Sequence, residues 1–186
     1  MTYLEMIKKT LGLIEELNPD SELLTDDPDI ATKLLEVVNQ IMFEICRMKK
    51  LPDYVEIPVE EGQLVRFSDI EKAGKYEVYQ LNTVRGVDVE FKASGTVIKA
   101  LTSGTLEVDY FKYPDRITEK GKNTYEFELT NDVLEIMPYG IAADLLKSDV
   151  SSNYGEIYSQ RYQTMISQLD PRYSMGSIFI SGGVNV

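Results

Sequence analysis

The chain has 186 residues, 43% hydrophobic and 27% charged, a composition that suits a packed soluble protein and excludes collagen-like, low-complexity and disulfide-scaffold classes. Its 31 acidic against 19 basic residues give a net charge of -12, which opposes phosphate-driven attraction to DNA, RNA or an anionic membrane. The basic spots, Lys8-Lys9, Arg47 with Lys49-Lys50, and Lys120 with Lys122, are short and sit among carboxylates, so they read as solvated surface.

From the amino terminus, Leu4, Ile7, Leu11, Ile14 and Leu17 recur every three or four residues and predict an amphipathic helix over 3–17, stopped by Asn18-Pro19-Asp20. Asp27 is placed as the cap of a second helix, with Pro28 at its first position, where a missing N–H costs nothing. The stripe of Ile30, Leu34, Leu35, Val37, Val38, Ile41, Met42 and Ile45 is broad, which predicts that this helix is central to its lobe. Cys46 falls within the same pattern and reads as a small buried hydrophobe; as the single cysteine it forms no internal disulfide.

From about residue 54 the period becomes two. Val87, Val89 and Phe91 alternate with polar residues, as do Leu106, Val108 and Tyr110, and Tyr125, Phe127 and Leu129. Turn signals at Glu61-Gly62, Ala73-Gly74, Arg85-Gly86, Ser94-Gly95, Ser103-Gly104, Pro114-Asp115 and Lys120-Gly121 predict a module of short antiparallel strands over 54–129. Helical periodicity returns with Asp132 and Glu135 as a cap and its partner, then Val133, Met137, Ile141 and Leu145 on one face. Pro138 bends this helix or delays its start. After a polar break, Ile157, Tyr158, Tyr162, Met165, Ile166 and Leu169 mark a last helix, ended by Asp170-Pro171.

The expected fold class is therefore α+β: a helical bundle lobe from 1–53 and 130–171, an inserted antiparallel β module at 54–129, and an extended carboxyl-terminal tail at 172–186. The tail has no helical period and is expected to be disordered or to pair as a strand with a partner. The amino terminus does not read as a signal peptide, and no apolar run approaches the roughly 20 residues that span a bilayer, so a cytoplasm-like compartment and no membrane partner are expected.

The chemistry-bearing residue types are scarce. With no histidine and one cysteine, triads of the Ser-His or Cys-His kind and multi-ligand zinc sites are excluded, and neither a GxGxxG nor a GxxxxGK[ST] phosphate cradle occurs. Two carboxylates can serve as acid and base, but with 31 acidic residues such a pairing carries no information. Asp26-Asp27-Pro28-Asp29 lacks the ligand spacing of a calcium loop and reads as helix capping. No cofactor or metal is expected, and no catalytic residue is nominated. Tyr154, Tyr158 and Tyr162, at four-residue spacing, read either as packing against the helical lobe or as a subunit interface, where tyrosine is enriched.

The segments GTLEVDYFKYPDRIT, FELTNDVLEIMPYGIAADLLKSD and YGEIYSQRYQTMISQLDP carry a further pattern. A strand ending in Tyr110-x-x-x-Pro114 leads to a helix with internal Pro138 and Tyr139, a short break, and a last helix bearing Tyr158 and Tyr162. This half of the chain resembles the head-tail adaptors of tailed bacteriophages and related neck proteins. The resemblance implies a structural, non-catalytic subunit of the virion neck, assembled in the host cytoplasm. It further implies a homo-oligomeric ring, commonly of twelve copies, beneath the portal protein and above the next neck or tail protein, with DNA passing through the lumen without specific binding. It also implies a terminal segment that grips the portal, which here points to residues 172–186, with Ile178, Phe179, Ile180 and Val184 as the portal-docking candidates. Tyr154, Tyr158 and Tyr162 are the candidate subunit interface. Other readings are a stopper or tail terminator, a carbohydrate- or peptide-binding β module on a helical stalk, and an enzyme using carboxylates alone.

Overall fold

A computed structural model describes residues 1–94, 97–147 and 153–169, and the backbone of 179–181. It is a mixed α+β fold whose chain divides into two compact units, Met1–Lys49 with Arg116–Pro171, and Lys50–Asp115 with Arg172–Val186.

The first unit is helical. Helix α1 (Tyr3–Leu13) starts from a capping box, in which the Thr2 hydroxyl accepts from the Glu5 N–H and the Glu5 carboxylate accepts from the Thr2 N–H. It ends four residues before the predicted stop, with Glu15 in the left-handed region at φ 61°. Its buried face is Tyr3, Met6, Ile7, Thr10 and Leu11, a stripe rotated from the predicted one, and Leu4 is exposed. Helix α2 (Pro28–Met48) is capped by Asp27, whose carboxylate accepts from the N–H groups of Asp29 and Ile30.

Helix α4 (Asn131–Leu134) is a single turn capped at Thr130. Asp132 is therefore not the cap expected from its spacing: it lies within the turn, where its carboxylate accepts from the Thr130 hydroxyl and from Lys49 Nζ at 2.9 Å. These partners pull its pKa from 3.8 down to about 2, the Thr130 bond first and the Lys49 bond next. A carboxyl with a depressed folded pKa stabilises fully above its ordinary value, and that contribution is lost as pH falls through about 2.

Pro138 occupies the first turn of α5 (Met137–Leu145), so the proline delays the helix start and bends nothing. Helix α5 buries Met137, Pro138, Gly140, Ile141, Ala142 and Leu145 and packs on α1, α2 and α6 (Tyr154–Ser167). It, rather than α2, is the hub, because a short helix apolar on nearly all sides finds cover only between neighbours.

Residues 116–129, expected in the β module, group with the helices. The buried Asn39 of α2 holds them: its Nδ2 donates to the Ile117 carbonyl at 3.0 Å and its Oδ1 accepts from the Ile117 N–H at 2.8 Å. The alternation of Tyr125, Phe127 and Leu129 is real, with Phe127 and Leu129 buried, but its backbone pairing among the described residues is with the chain start. Tyr3 N–H donates to the Tyr125 carbonyl and Phe127 N–H to the Met1 carbonyl around an isolated Thr2–Glu126 bridge, so no further strand forms there.

The second unit carries two sheets. Strands β1 (Leu51–Val59), β6 (Gly104–Lys112), β3 (Val78–Val87) and β7 (Phe179–Ser181) form one, in the order β1-β6-β3-β7. Strands β2 (Leu64–Arg66), β5 (Val97–Ala100) and β4 (Phe91–Ser94) form the other, in the order β2-β5-β4. Pairing is antiparallel except for β7, which runs parallel to β3. The core includes Ile57, Val65, Val84, Phe91, Ile98, Leu106, Val108 and Tyr110.

Two turn signals resolve differently from expectation. Ala73-Gly74 ends a helix, α3 (Phe67–Gly74), closed by Lys75 in the left-handed conformation at φ 67°. A glycine marks a helix end as readily as a strand turn. Arg85-Gly86 lies inside β3, and the true break is at Asp88 (φ 55°), so Val87 and Phe91 belong to different strands.

Replacing Asn39 by alanine strands the buried amide and carbonyl of Ile117, a loss of about 1–3 kcal/mol per unsatisfied group. Urea unfolding of Asn39→Ala is expected to show a lower midpoint with an unchanged slope; an unchanged midpoint counts against this clamp.

Candidate subunit interface

Helix α6 is where the sequence analysis placed its interface candidates, and its three tyrosines have three different environments. Four-residue steps advance about 40° around a helix of 3.6 residues per turn, so the three side chains drift from one side towards another. Tyr162 is 4% exposed, Tyr158 is half-buried, and Tyr154 is 61% exposed.

Tyr162 is seated on α5. A Cβ added to Gly140 would lie 2.7 Å from its ring, so the glycine makes the room that the ring fills. Its hydroxyl is buried and makes no hydrogen bond among the described residues. Burial first, and the negative charge of Glu44 second, push its pKa well above the ordinary phenol value.

Tyr158 donates its hydroxyl hydrogen to the backbone carbonyl of Leu13, one of the last carbonyls of α1. Helix ends leave such acceptors without an intrahelical partner, so this bond ties α6 to α1 through a group that needs one. The Tyr158 ring lies 6.3 Å from that of Tyr139, and the guanidinium of Arg161 sits 4.3 Å from the Tyr139 ring centre.

Tyr154 is different. With Leu13, Ile14, Leu146 and Tyr158 it lines a groove of about 270 Å³, and one turn further Ile157 is 53% exposed. Among the described residues of α6, only Tyr162 is buried. The helix therefore has an inner side held by Tyr158 and Tyr162 and an outer side on which a large aromatic and a β-branched residue face water.

A second cleft, of about 660 Å³, lies between α2, α5 and α6, with Glu44, Asp144, Glu156 and Lys147 on its walls. Among the described residues no group of three or more His, Cys, Asp or Glu side chains is placed to hold a metal ion. Cys46 is buried, and burial pushes its thiol up to about 12, which keeps it protonated and unreactive at neutral pH.

For the tail candidates, Phe179 and Ile180 belong to β7, whose backbone pairs with β3, while Ile178 and Val184 lie outside the described residues. Sequence reasoning missed the seat at Gly140 and the Arg161–Tyr139 contact. Glycine within a helical pattern was the available signal for the first, since it is costly there without a packing reason. No described helix is long and apolar enough to cross a membrane. Compared with known proteins, the chain matches no family model, and no curated protein matches it.

Gly140→Ala removes a poor helix former, which alone favours the helix by about 1 kcal/mol. It also drives a methyl group into the Tyr162 ring, and overpacking of this kind costs about 1–3 kcal/mol. Thermal unfolding is expected to show net destabilisation; a stabilised variant means the ring moves aside without loss.

Proposed function

We propose that this chain is a non-catalytic structural subunit that works by assembling with copies of itself, and specifically that it forms the adaptor ring of a tailed-bacteriophage neck. In this reading the ring lies beneath the portal and prolongs the DNA channel, and residues 172–186 grip the portal. The observation that carries it is the outer side of α6, where Tyr154 and Ile157 are 61% and 53% exposed. These residues lie on the helix that the resemblance to adaptors singles out.

Three physical points support the reading. A subunit contact that covers Tyr154 and Ile157 gains about 1.5–3 kcal/mol for each apolar side chain fully buried, before the cost of association. In a closed ring that contact repeats at every interface, so a weak pairwise grip becomes a firm one. A net charge of -12 per copy offers DNA few favourable phosphate contacts, which suits a channel that must release what passes through it. Virion localisation and the absence of catalysis belong to the same proposal.

Light scattering or native mass measurement of the purified chain is expected to show a concentration-dependent oligomer. Ile157→Asp is expected to raise the concentration needed for assembly by tenfold or more, because an apolar contact of about 1.4 kcal/mol or greater corresponds to that factor. A chain that stays monomeric throughout contradicts the reading, as does an Ile157→Asp variant that assembles like the parent.

A further inference from the structure

The two edges of the four-stranded sheet are treated differently. In an antiparallel ladder alternate residues turn their N–H and C=O away from the partner strand. On β1 the Tyr54 N–H donates to the Asp53 carboxylate at 2.8 Å, so Pro52, Tyr54, Glu56 and Pro58 are the set turned to the edge. Two of these four have no N–H at all, and a third has its N–H occupied. Proline and a locally captured donor are the means by which natural sheets close an edge to strand addition.

The opposite edge has no such guard. Strand β3 is ten residues long and contains no proline, and among the described residues β7 pairs with it at Thr83, Val84 and Arg85, opposite Phe179, Ile180 and Ser181. Among the described residues that pairing is shorter than the roughly 5–6 residues of an ordinary strand. The segment that fits the edge in register is thus present on every copy of the chain, near its carboxyl terminus.

We infer that the β3 edge accepts the Phe179–Ser181 strand of a second copy, so that neighbouring subunits are laced together by exchanged strands. The inference rests on the self-assembly reading above and gives the Phe179–Ser181 part of the terminal segment a second copy of the chain as its partner. Exchange passed in one direction from copy to copy is head-to-tail, which is the kind of contact that closes into rings. Exchange requires no new recognition, since the donated strand makes the same backbone bonds that it makes within one chain.

The test uses two full-length variants, Thr83→Cys and Phe179→Cys, each also carrying Cys46→Ala, co-expressed with different affinity tags and treated with a short bismaleimide. The expected result is a two-chain product on a denaturing gel that carries both tags, lost when Ile180→Pro is added to the Phe179→Cys chain. A third variant with both cysteines in one chain reports closure within a molecule. An oligomer that yields no two-tag product overturns strand exchange, whether or not this third variant closes on itself. A chain that is monomeric by mass overturns the assembly reading as well, so the two failures are told apart by mass alone.

Discussion

The helical unit is made of two pieces far apart in the chain, and one buried side chain holds them in register. Asn39 offers its amide to the Ile117 carbonyl and its oxygen to the Ile117 N–H, matching both backbone groups of one residue. No other neutral side chain except glutamine has a donor and an acceptor in that planar arrangement. The residues that follow Ile117 lead to α4, α5 and α6, so the hub helix and the tyrosine-bearing helix both lie downstream of this clamp. Where the first piece ends, Lys49 is buried and meets Asp132 from the second piece, a pair that resists separation because a buried ammonium without its carboxylate is costly.

Given that frame, α6 is held by two contacts of different kinds. Tyr162 fills the space that Gly140 leaves, a matter of shape, and Tyr158 satisfies a terminal carbonyl of α1, a matter of polar pairing. Neither contact covers Tyr154 or Ile157, which stay largely exposed. An isolated helix of this length is marginal in water, so these inner contacts do the folding work and leave the outer side available for association.

The sequence was most legible where a local rule acts alone. The Asp27-Pro28 start of α2 and the role of Pro138 at the start of α5 both follow from capping and proline geometry, which need only a few adjacent residues. Legibility failed where the same signal serves two structures. Ala73-Gly74 marks a helix end as well as a turn, and the alternation of Val87, Val89 and Phe91 continues across a break because Val89 is buried from a loop. It failed also for long-range pairing. Nothing adjacent to Tyr125 reveals that residues near Met1 are its partner, or that Asn39 draws residues 116–129 to the helices. Of the candidate site, the three tyrosines were visible as a set, but their graded burial depends on Gly140 and Leu13, which spacing along α6 does not mention.

The edge chemistry of the sheet was hidden for a similar reason. Pro52 and Pro58 are readable as strand-edge residues only once β1 is known to pair, among the described residues, with β6. On the proposed reading, this polypeptide acts through surfaces it shows to its own kind. Hydrogen exchange read residue by residue in dilute and in concentrated protein tests it most directly. Self-assembly predicts that concentration slows exchange in α6 around Tyr154 and Ile157 and along β3, while the amides of α5 keep one rate throughout. Exchange that is indifferent to concentration at all of these places would contradict it.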